Sequence, residues 1–330
     1  MMRLPRFRYL APRSLAEAAA ALADLGPEAA PLAGGTDLLP NMKRRQQTPA
    51  TVVGLRGVPE LRARSGDPGR GLTLGAMAHL SDLERDPALA AWPALPRAAS
   101  LVATPPLRNM ATLGGNLCLD TRCSYYDQTH EWRESIGFCM KKDGDVCWVA
   151  PGSDRCWAVS SSDTAPVLCA LGAEVTLVSK AGERRIPVAD LFADDGIRHL
   201  SRRPDEILAA VHLPPAAPGE RQSYQKLRRR GSFDFPVLGV AARVRLSGGG
   251  AVESARIFVS GAGSRPQEAR AAGDFLVGRR LGEEDVVREA AGLVAKVAKP
   301  MQNTDFGLSW RKQVAREYAA RALRELAAAG

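Results

Sequence analysis

The 330-residue sequence predicts an α+β protein built in three parts. Three observations lead there. The chain is longer than one hydrophobic core sustains, so two or three domains are expected. Its elements run βαβ, then mixed, then strand-rich followed by helix-rich, an order that segregates sheets from helices instead of alternating them along one parallel sheet. Neither a G-x-G-x-x-G after a strand nor a G-x-x-x-x-G-K-[ST] occurs, which removes support for two common nucleotide-binding folds.

The first part is placed at residues 1–57. Ser14 and Glu17 form a capping box before "LAEAAAALADLG", and Gly26 ends that helix. "AAPLAGG" and "ATVVGL" then read as short strands. The second part, residues 58–214, begins with the strand "GLTLGAM", continues through an apolar helix "ALPRAASLVA", and reaches "ATLGGNL". A cysteine-bearing stretch follows at 122–157. "SSDTAPVLCALGAEVTLVS" reads as a helix and a strand, and "EILAAVHLP" closes the part. "PPAAPGE" is a linker. The third part, residues 215–330, carries the alternating strands "SYQKLRR", "VLGVAARVRL" and "SARIFVSGAG". Helices follow at Pro266–Val277, Glu284–Ala298 and from Leu308 to about Ala328.

Composition limits the function. Hydrophobic residues make up 45%, but no apolar run approaches the ~20 residues that span a bilayer, so no membrane insertion is expected. The basic N-terminus lacks an apolar core and a cleavage site, so it is not read as a signal peptide. A cytoplasmic location and reduced thiols follow as expectations. The net charge of +9 is spread along the chain, and only "KLRRR" at Lys226–Arg230 is dense. With no aromatic platform beside it, this points to a solvated face or an anionic cofactor and not to nucleic acid.

Two glycine pairs carry the first chemistry. In "PLAGGTDLLP", Gly34-Gly35 follow a strand and precede Thr36 and Asp37. Such a pair reaches φ > 0 and presents consecutive N–H groups as an anion nest, although an ordinary tight turn uses the same residues. Asp37 would cap a helix or orient the turn. In "RNMATLGGNL", Gly114-Gly115 stand between Thr112 and Asn116. Two such loops suggest convergence on one extended diphosphate ligand. Arg108 is expected to hold its loop.

The second chemistry lies in "RCSYYDQTHEWRESIGFCMKKDGDVCWVAPGSDRCW". It holds four of the six cysteines, at intervals of 15, 7 and 8 residues, and three of the five tryptophans. A loop this long is functional or disordered, and its aromatic content argues against disorder. Zinc sites usually contain C-x₂₋₄-C pairs, which are missing. Disulfides conflict with the compartment. A [4Fe–4S] cluster takes four cysteines at variable spacing. From the residues alone, cluster, zinc and free thiols all remain open. Cys169 reads as core and Cys118 as loop packing. His130 is read as a packing or surface residue, with a ligand role as the alternative.

"LAGGTDLL", "RNMATLGGN", "SSDTAPVLCALGAEV" and "YQKLRRRGSFDFPVLGVAARV" occur in that order, and "TDFGLSWRKQVAREYAARAL" closes the chain. Together these resemble the FAD-binding subunit of the xanthine dehydrogenase and carbon monoxide dehydrogenase flavoprotein family, over nearly the whole chain. The resemblance implies two small α/β subdomains clasping FAD in a PCMH-type fold, followed by a C-terminal α+β domain. It further implies that FAD lies against Leu32, Ala33, Gly34, Gly35, Thr36, Asp37, Leu38 and Leu39, and against Thr112, Leu113, Gly114, Gly115 and Asn116. By the same resemblance Asp163 would bond a sugar hydroxyl, where an N-cap is the plainer alternative. Lys226 would sit near the ribityl chain or flavin ring, where a surface lysine is the alternative. Arg230 and Asp234 are expected to pair with each other.

Within that family, a four-cysteine insertion after the second glycine loop is similar to the β subunit of 4-hydroxybenzoyl-CoA reductase. This likeness implies a [4Fe–4S] cluster on Cys123, Cys139, Cys147 and Cys156. It implies a heterotrimer with a molybdopterin-containing large subunit and a [2Fe–2S] small subunit, in which ferredoxin feeds electrons through the cluster and FAD for reductive dehydroxylation to benzoyl-CoA. No side chain of this chain is then expected to be catalytic. The alternative is the FAD subunit of an aldehyde-, purine- or CO-oxidising member. A further alternative is a non-enzymatic binding protein whose glycine loops are turns and whose cysteines hold zinc.

Overall fold

The computed structural model describes residues 2–304 and 306–328. Three sheets organise it. The first is a parallel sheet ordered β1-β3-β2, from β1 (Arg8–Leu10), β2 (Ala29–Leu32) and β3 (Thr51–Gly54). Helix α1 (Leu15–Leu25) covers it through Ala18, Ala19 and Leu22. Ser14 Oγ caps α1 by accepting the Glu17 N–H at 3.1 Å, and Gly26 leaves the helix at φ 59°. The short α2 (Leu38–Lys43) joins β2 to β3.

The second sheet is antiparallel, in the order β4-β5-β8-β6-β7. Its strands are β4 (Arg64–Asp67), β5 (Gly71–Gly75), β6 (Glu174–Ser179), β7 (Gly182–Pro187) and β8 (Ile207–Leu213). Between β5 and β6 the chain forms α3 (Leu80–Leu83), α4 (Ala94–Ser100), α5 (Pro105–Arg108), α6 (Leu113–Leu117), α7 (His130–Ser135) and α8 (Thr164–Leu171). Every residue of α8 is buried, because it lies between this sheet and the third one.

The third sheet is antiparallel, ordered β12-β11-β10-β9, from β9 (Glu220–Leu227), β10 (Leu238–Leu246), β11 (Val252–Ser260) and β12 (Gln267–Glu268). Strand alternation divides its two faces. Tyr224, Ala241 and Phe258 enter the core around α8. Leu238, Val240, Ala242, Val244, Ile257 and Val259 face α9 (Arg270–Leu276), α10 (Glu284–Val297) and α11 (Leu308–Ala328).

One expected helix is shorter than its pattern suggests. In place of a helix from Pro266, Gln267 and Glu268 pair with Val259 and Phe258 as an edge strand, and the helix begins only at Arg270. Three strands, β1, β4 and β7, had no readable signal. β4 is exposed throughout and β7 is mostly so, and neither carries the apolar alternation that marks a half-buried strand.

Candidate FAD cleft and four-cysteine cavity

The first glycine loop leaves β2 at Leu32 and enters α2 at Leu38. Gly35 sits at φ 75°, a conformation that favours glycine. Among the described residues, the N–H groups of Gly34, Gly35 and Thr36 have no acceptor within the chain. Asp37 makes no side-chain cap. Its carboxylate pairs with the Arg122 guanidinium and accepts from Asn41 Nδ2 at 3.2 Å, so it orients the turn.

The second loop lies directly against the first. A Cβ on Gly34 would stand 1.9 Å from the Met110 carbonyl oxygen, so only glycine permits this crossing. Thr112 Oγ1 accepts the Gly115 N–H at 3.1 Å and starts α6. The Asn116 side-chain oxygen accepts from Ser162 Oγ (2.8 Å), Thr164 Oγ1 (2.7 Å) and Thr164 N–H (3.2 Å), which ties α6 to the start of α8.

The two loops border one cleft of about 1110 Å³. Leu32 to Leu38, Thr112, Gly114, Gly115, Asn116 and Asp163 line it, whereas Leu39, Leu113 and Lys226 do not. Leu113 is fully buried in the core around α8. Asp163 is not a helix cap, since Ser162 Oγ takes the Ala165 N–H instead. The Asp163 carboxylate accepts from Tyr224 OH at 2.7 Å and Lys226 Nζ at 2.8 Å. Lys226 also donates to the Leu101 carbonyl and its side chain is 1% exposed, so the surface alternative is excluded. Burial pushes the Asp163 pKa up and that of Lys226 down, while their mutual attraction works the other way. Arg108 serves its loop by pairing with Glu84 and the Val102 carbonyl, and Arg230 pairs with Asp234.

Cys123, Cys139, Cys147 and Cys156 are all buried, unoxidised and arranged around one cavity with Tyr125, Tyr126, Met140, Lys141 and Trp148. Cys123 and Cys156 stand 33 positions apart in the sequence, yet the fold brings all four thiols around one cavity. Burial pushes the Cys123 thiol up to about 12 and the Cys156 thiol up to about 11; Lys141 opposes the latter. The cavity is small, about 10 Å³, the room of roughly one water molecule. Among the described residues, no group of three or more His, Cys, Asp or Glu stands close enough together to hold a metal ion. Cys169 is core, Cys118 borders the FAD-sized cleft, and His130 packs edge-on against Phe138 at 5.6 Å.

Residues 5–216 match the family model described as the FAD binding domain in molybdopterin dehydrogenase, and residues 222–326 match the CO dehydrogenase flavoprotein C-terminal domain. The chain belongs to this family of FAD-binding subunits. The flavoprotein is 28% identical to the carbon monoxide dehydrogenase medium chain of Hydrogenophaga pseudoflava, over 97% of this chain and 96% of that one. It is 32% identical to the aldehyde oxidoreductase FAD-binding subunit PaoB of Escherichia coli, over 81% and 84%. Among solved structures, carbon monoxide dehydrogenase from Oligotropha carboxidovorans matches at TM-score 0.81 and 27% identity over 100% of both chains. Quinoline 2-oxidoreductase from Pseudomonas putida matches at 0.77 and 27% over 99% and 98%. The fold is thus the PCMH-type FAD-binding fold with its C-terminal domain.

Sequence reasoning missed the polar link between the flavoprotein's two sites. Lys141 Nζ, at the cysteine cavity, donates to Asp120 Oδ1 (2.8 Å), Thr121 Oγ1 (2.8 Å) and the Gly196 carbonyl (2.6 Å). Asp120 lines the cleft and also accepts from Tyr126 OH at 3.1 Å. "MKKDGD" looks like a solvated charge run, and only the fold shows that the side chain of its first lysine is 6% exposed.

Proposed function

We propose that this chain is the electron-transfer subunit of a heterotrimeric molybdenum hydroxylase and carries FAD between a molybdopterin-containing large subunit with its [2Fe–2S] small partner and an external electron carrier. The observation that carries this reading is the pair of interlocked glycine loops, with N–H groups free of protein acceptors at the edge of a cleft of FAD size. The residues fit the cofactor. Gly34, Gly35 and Thr36 would donate to the diphosphate, whose close approach needs glycine at 35 and 115. Asp163, held by Tyr224 and Lys226, would accept from a sugar hydroxyl, and the buried Lys226 would contribute positive charge behind it. When bound, FAD supplies the exchange between two-electron and one-electron transfer. The chain's part is to hold it in place and keep water from it. The relatives' names, carbon monoxide dehydrogenase and aldehyde oxidoreductase, favour a substrate-oxidising complex from which electrons leave through FAD. Purified chain with about one FAD and yellow flavin bands supports the reading; a colourless chain that binds no added FAD refutes it.

The four-cysteine cavity favours a second reading. Cys123, Cys139, Cys147 and Cys156, buried around one cavity, would supply the four thiolates that a [4Fe–4S] cluster takes. Such a centre supplies low-potential one-electron transfer. Electrons would then run inward from ferredoxin, and the substrate would be reduced, as in dehydroxylation of 4-hydroxybenzoyl-CoA. Iron and sulfide near four each per anaerobically purified chain distinguish this reading from the first.

A further inference from the structure

The cysteine-rich stretch and the first glycine loop are distant in sequence but grip one another in the fold. Arg133, on α7 between Cys123 and Cys139, is 1% exposed. Its Nη2 donates to the Arg44 carbonyl at 3.0 Å and the Arg45 carbonyl at 3.2 Å, at the C-terminal end of α2. Its nearest carboxylate, on Asp143, stands 3.9 Å off, so the α2 carbonyls are the main groups facing this buried cation. Carbonyls at a helix end lack intrahelical partners and carry partial negative charge. Arg45 itself lies at φ 58°, a left-handed turn that a non-glycine residue keeps only when its surroundings hold it. Gln46 Nε2 donates to the Tyr126 carbonyl at 2.5 Å, and Arg122, next to Cys123, donates to Asn41 at 3.0 Å and pairs with Asp37. The stretch therefore holds α2 at both ends, and the start of α2 is the loop assigned to the diphosphate.

The stretch has little apolar core of its own. Its buried cluster is Cys123, Tyr126, Cys156 and Ala158, half of it cysteine. An occupant of the cysteine cavity would therefore add order to the stretch whose Arg122 and Arg133 hold α2. We propose that Arg133 is a positioning residue for the diphosphate loop, and that through it filling of the cysteine cavity and binding of FAD favour one another. The coupling rests on the cluster reading above; the positioning role does not. Linkage makes the effect reciprocal: FAD raises the affinity of the cavity for its metal by the same factor.

The test uses the full chain, stripped of iron and flavin and then reconstituted or not with ferrous iron and sulfide. FAD affinity is measured by fluorescence titration, with no turnover involved. The iron-loaded chain should bind FAD roughly 5-fold or more tightly than the metal-free chain, within the range of measured coupling. Arg133→Met keeps the buried stem; it should bind FAD more weakly even without metal and shrink the loaded-to-unloaded ratio below about twofold. Arg133→Lys, which restores one donor, should recover part of both. Equal FAD affinity in loaded and metal-free wild type overturns the coupling while the cluster reading stands. Iron that fails to load overturns the cluster reading and the coupling with it. Unchanged FAD affinity in metal-free Arg133→Met overturns the positioning role.

Discussion

Gly34→Ala tests the crossing of the two glycine loops. The added methyl would stand 1.9 Å from the Met110 carbonyl oxygen and 2.7 Å from its carbon, both backbone atoms that no rotamer change can move. Ordinary contact begins near 3.4 Å, so the loops must part by about 1.5 Å. Overpacking of this kind costs roughly 1–3 kcal/mol, and at 2–4 °C per kcal/mol the melting temperature should fall by roughly 2–12 °C. The displaced N–H groups of Gly34 to Thr36 would no longer point at a common anion, so flavin affinity should fall tenfold or more, about 1.4 kcal/mol. Gly115→Ala is the control with the opposite signature. Its methyl meets only Thr112 Oγ1 at 3.0 Å and Ala33 Cβ at 3.8 Å, inside a helix that alanine favours. It should melt within about 2 °C of wild type and still lose flavin, because the methyl occupies the space assigned to the diphosphate. Flavin absorbance per chain, a fluorescence titration and a melting curve on both variants decide the matter. Full flavin retention in Gly115→Ala, or an unchanged melting temperature in Gly34→Ala, refutes the reasoning.

Other outcomes follow from the same geometry. On the cluster reading, an anaerobic preparation contains iron that Cys→Ser at 123, 139, 147 or 156 should remove and Cys118→Ser and Cys169→Ser should keep; normal iron in any of the first four excludes that residue as a ligand, and an iron-free wild type refutes the reading. Lys141→Met breaks a buried pair and leaves Asp120 uncompensated, which costs roughly 3–5 kcal/mol; chemical denaturation should show most of that loss restored in Lys141→Met/Asp120→Asn. Burial alone raises the Glu206 pKa, but bonds from Arg184 and the Arg203 N–H bring it below the usual carboxylate value. Glu206 thus contributes stability above about pH 4.3 that is lost as pH falls through its lower folded pKa. Glu206→Gln should lower the melting point at pH 7 and flatten its decline between pH 5 and 3, and an unchanged acid slope would contradict the pairing.

Much of the site was legible because its signals are local. Adjacent glycines before small polar residues and a capping box at Ser14 require no knowledge of the fold, and the cysteines crowd into one stretch. The grouping of all four thiols was readable as chemistry, but their meeting around one cavity was not, since it depends on the Arg122–Val159 bridge that closes the base of the stretch. Lys226 shows the limit most clearly. Its strand pattern reads as surface, and only the packing of β9 against α4 buries its side chain between the Leu101 carbonyl and Asp163. Arg133 and Lys141 carry no pattern at all; their burial comes from partners some 90 and 20 positions away.

The root of the cysteine stretch has a further tie, to the far end of the chain. The Ser124 N–H donates to the Asn303 carbonyl at 3.0 Å, and Asn303 Nδ2 donates to the Trp157 carbonyl at 2.6 Å. Arg311, from α11, holds Asn303 and the Met301 carbonyl in place. A residue near the C-terminus thus staples both edges of a loop made long before it. During synthesis at ~5–20 residues per second, the roughly 145 residues between Trp157 and Asn303 take about 7–30 s to appear. Until Asn303 has emerged, the cysteine stretch lacks this second tie, and only when Arg311 of the last helix is in place is Asn303 itself held.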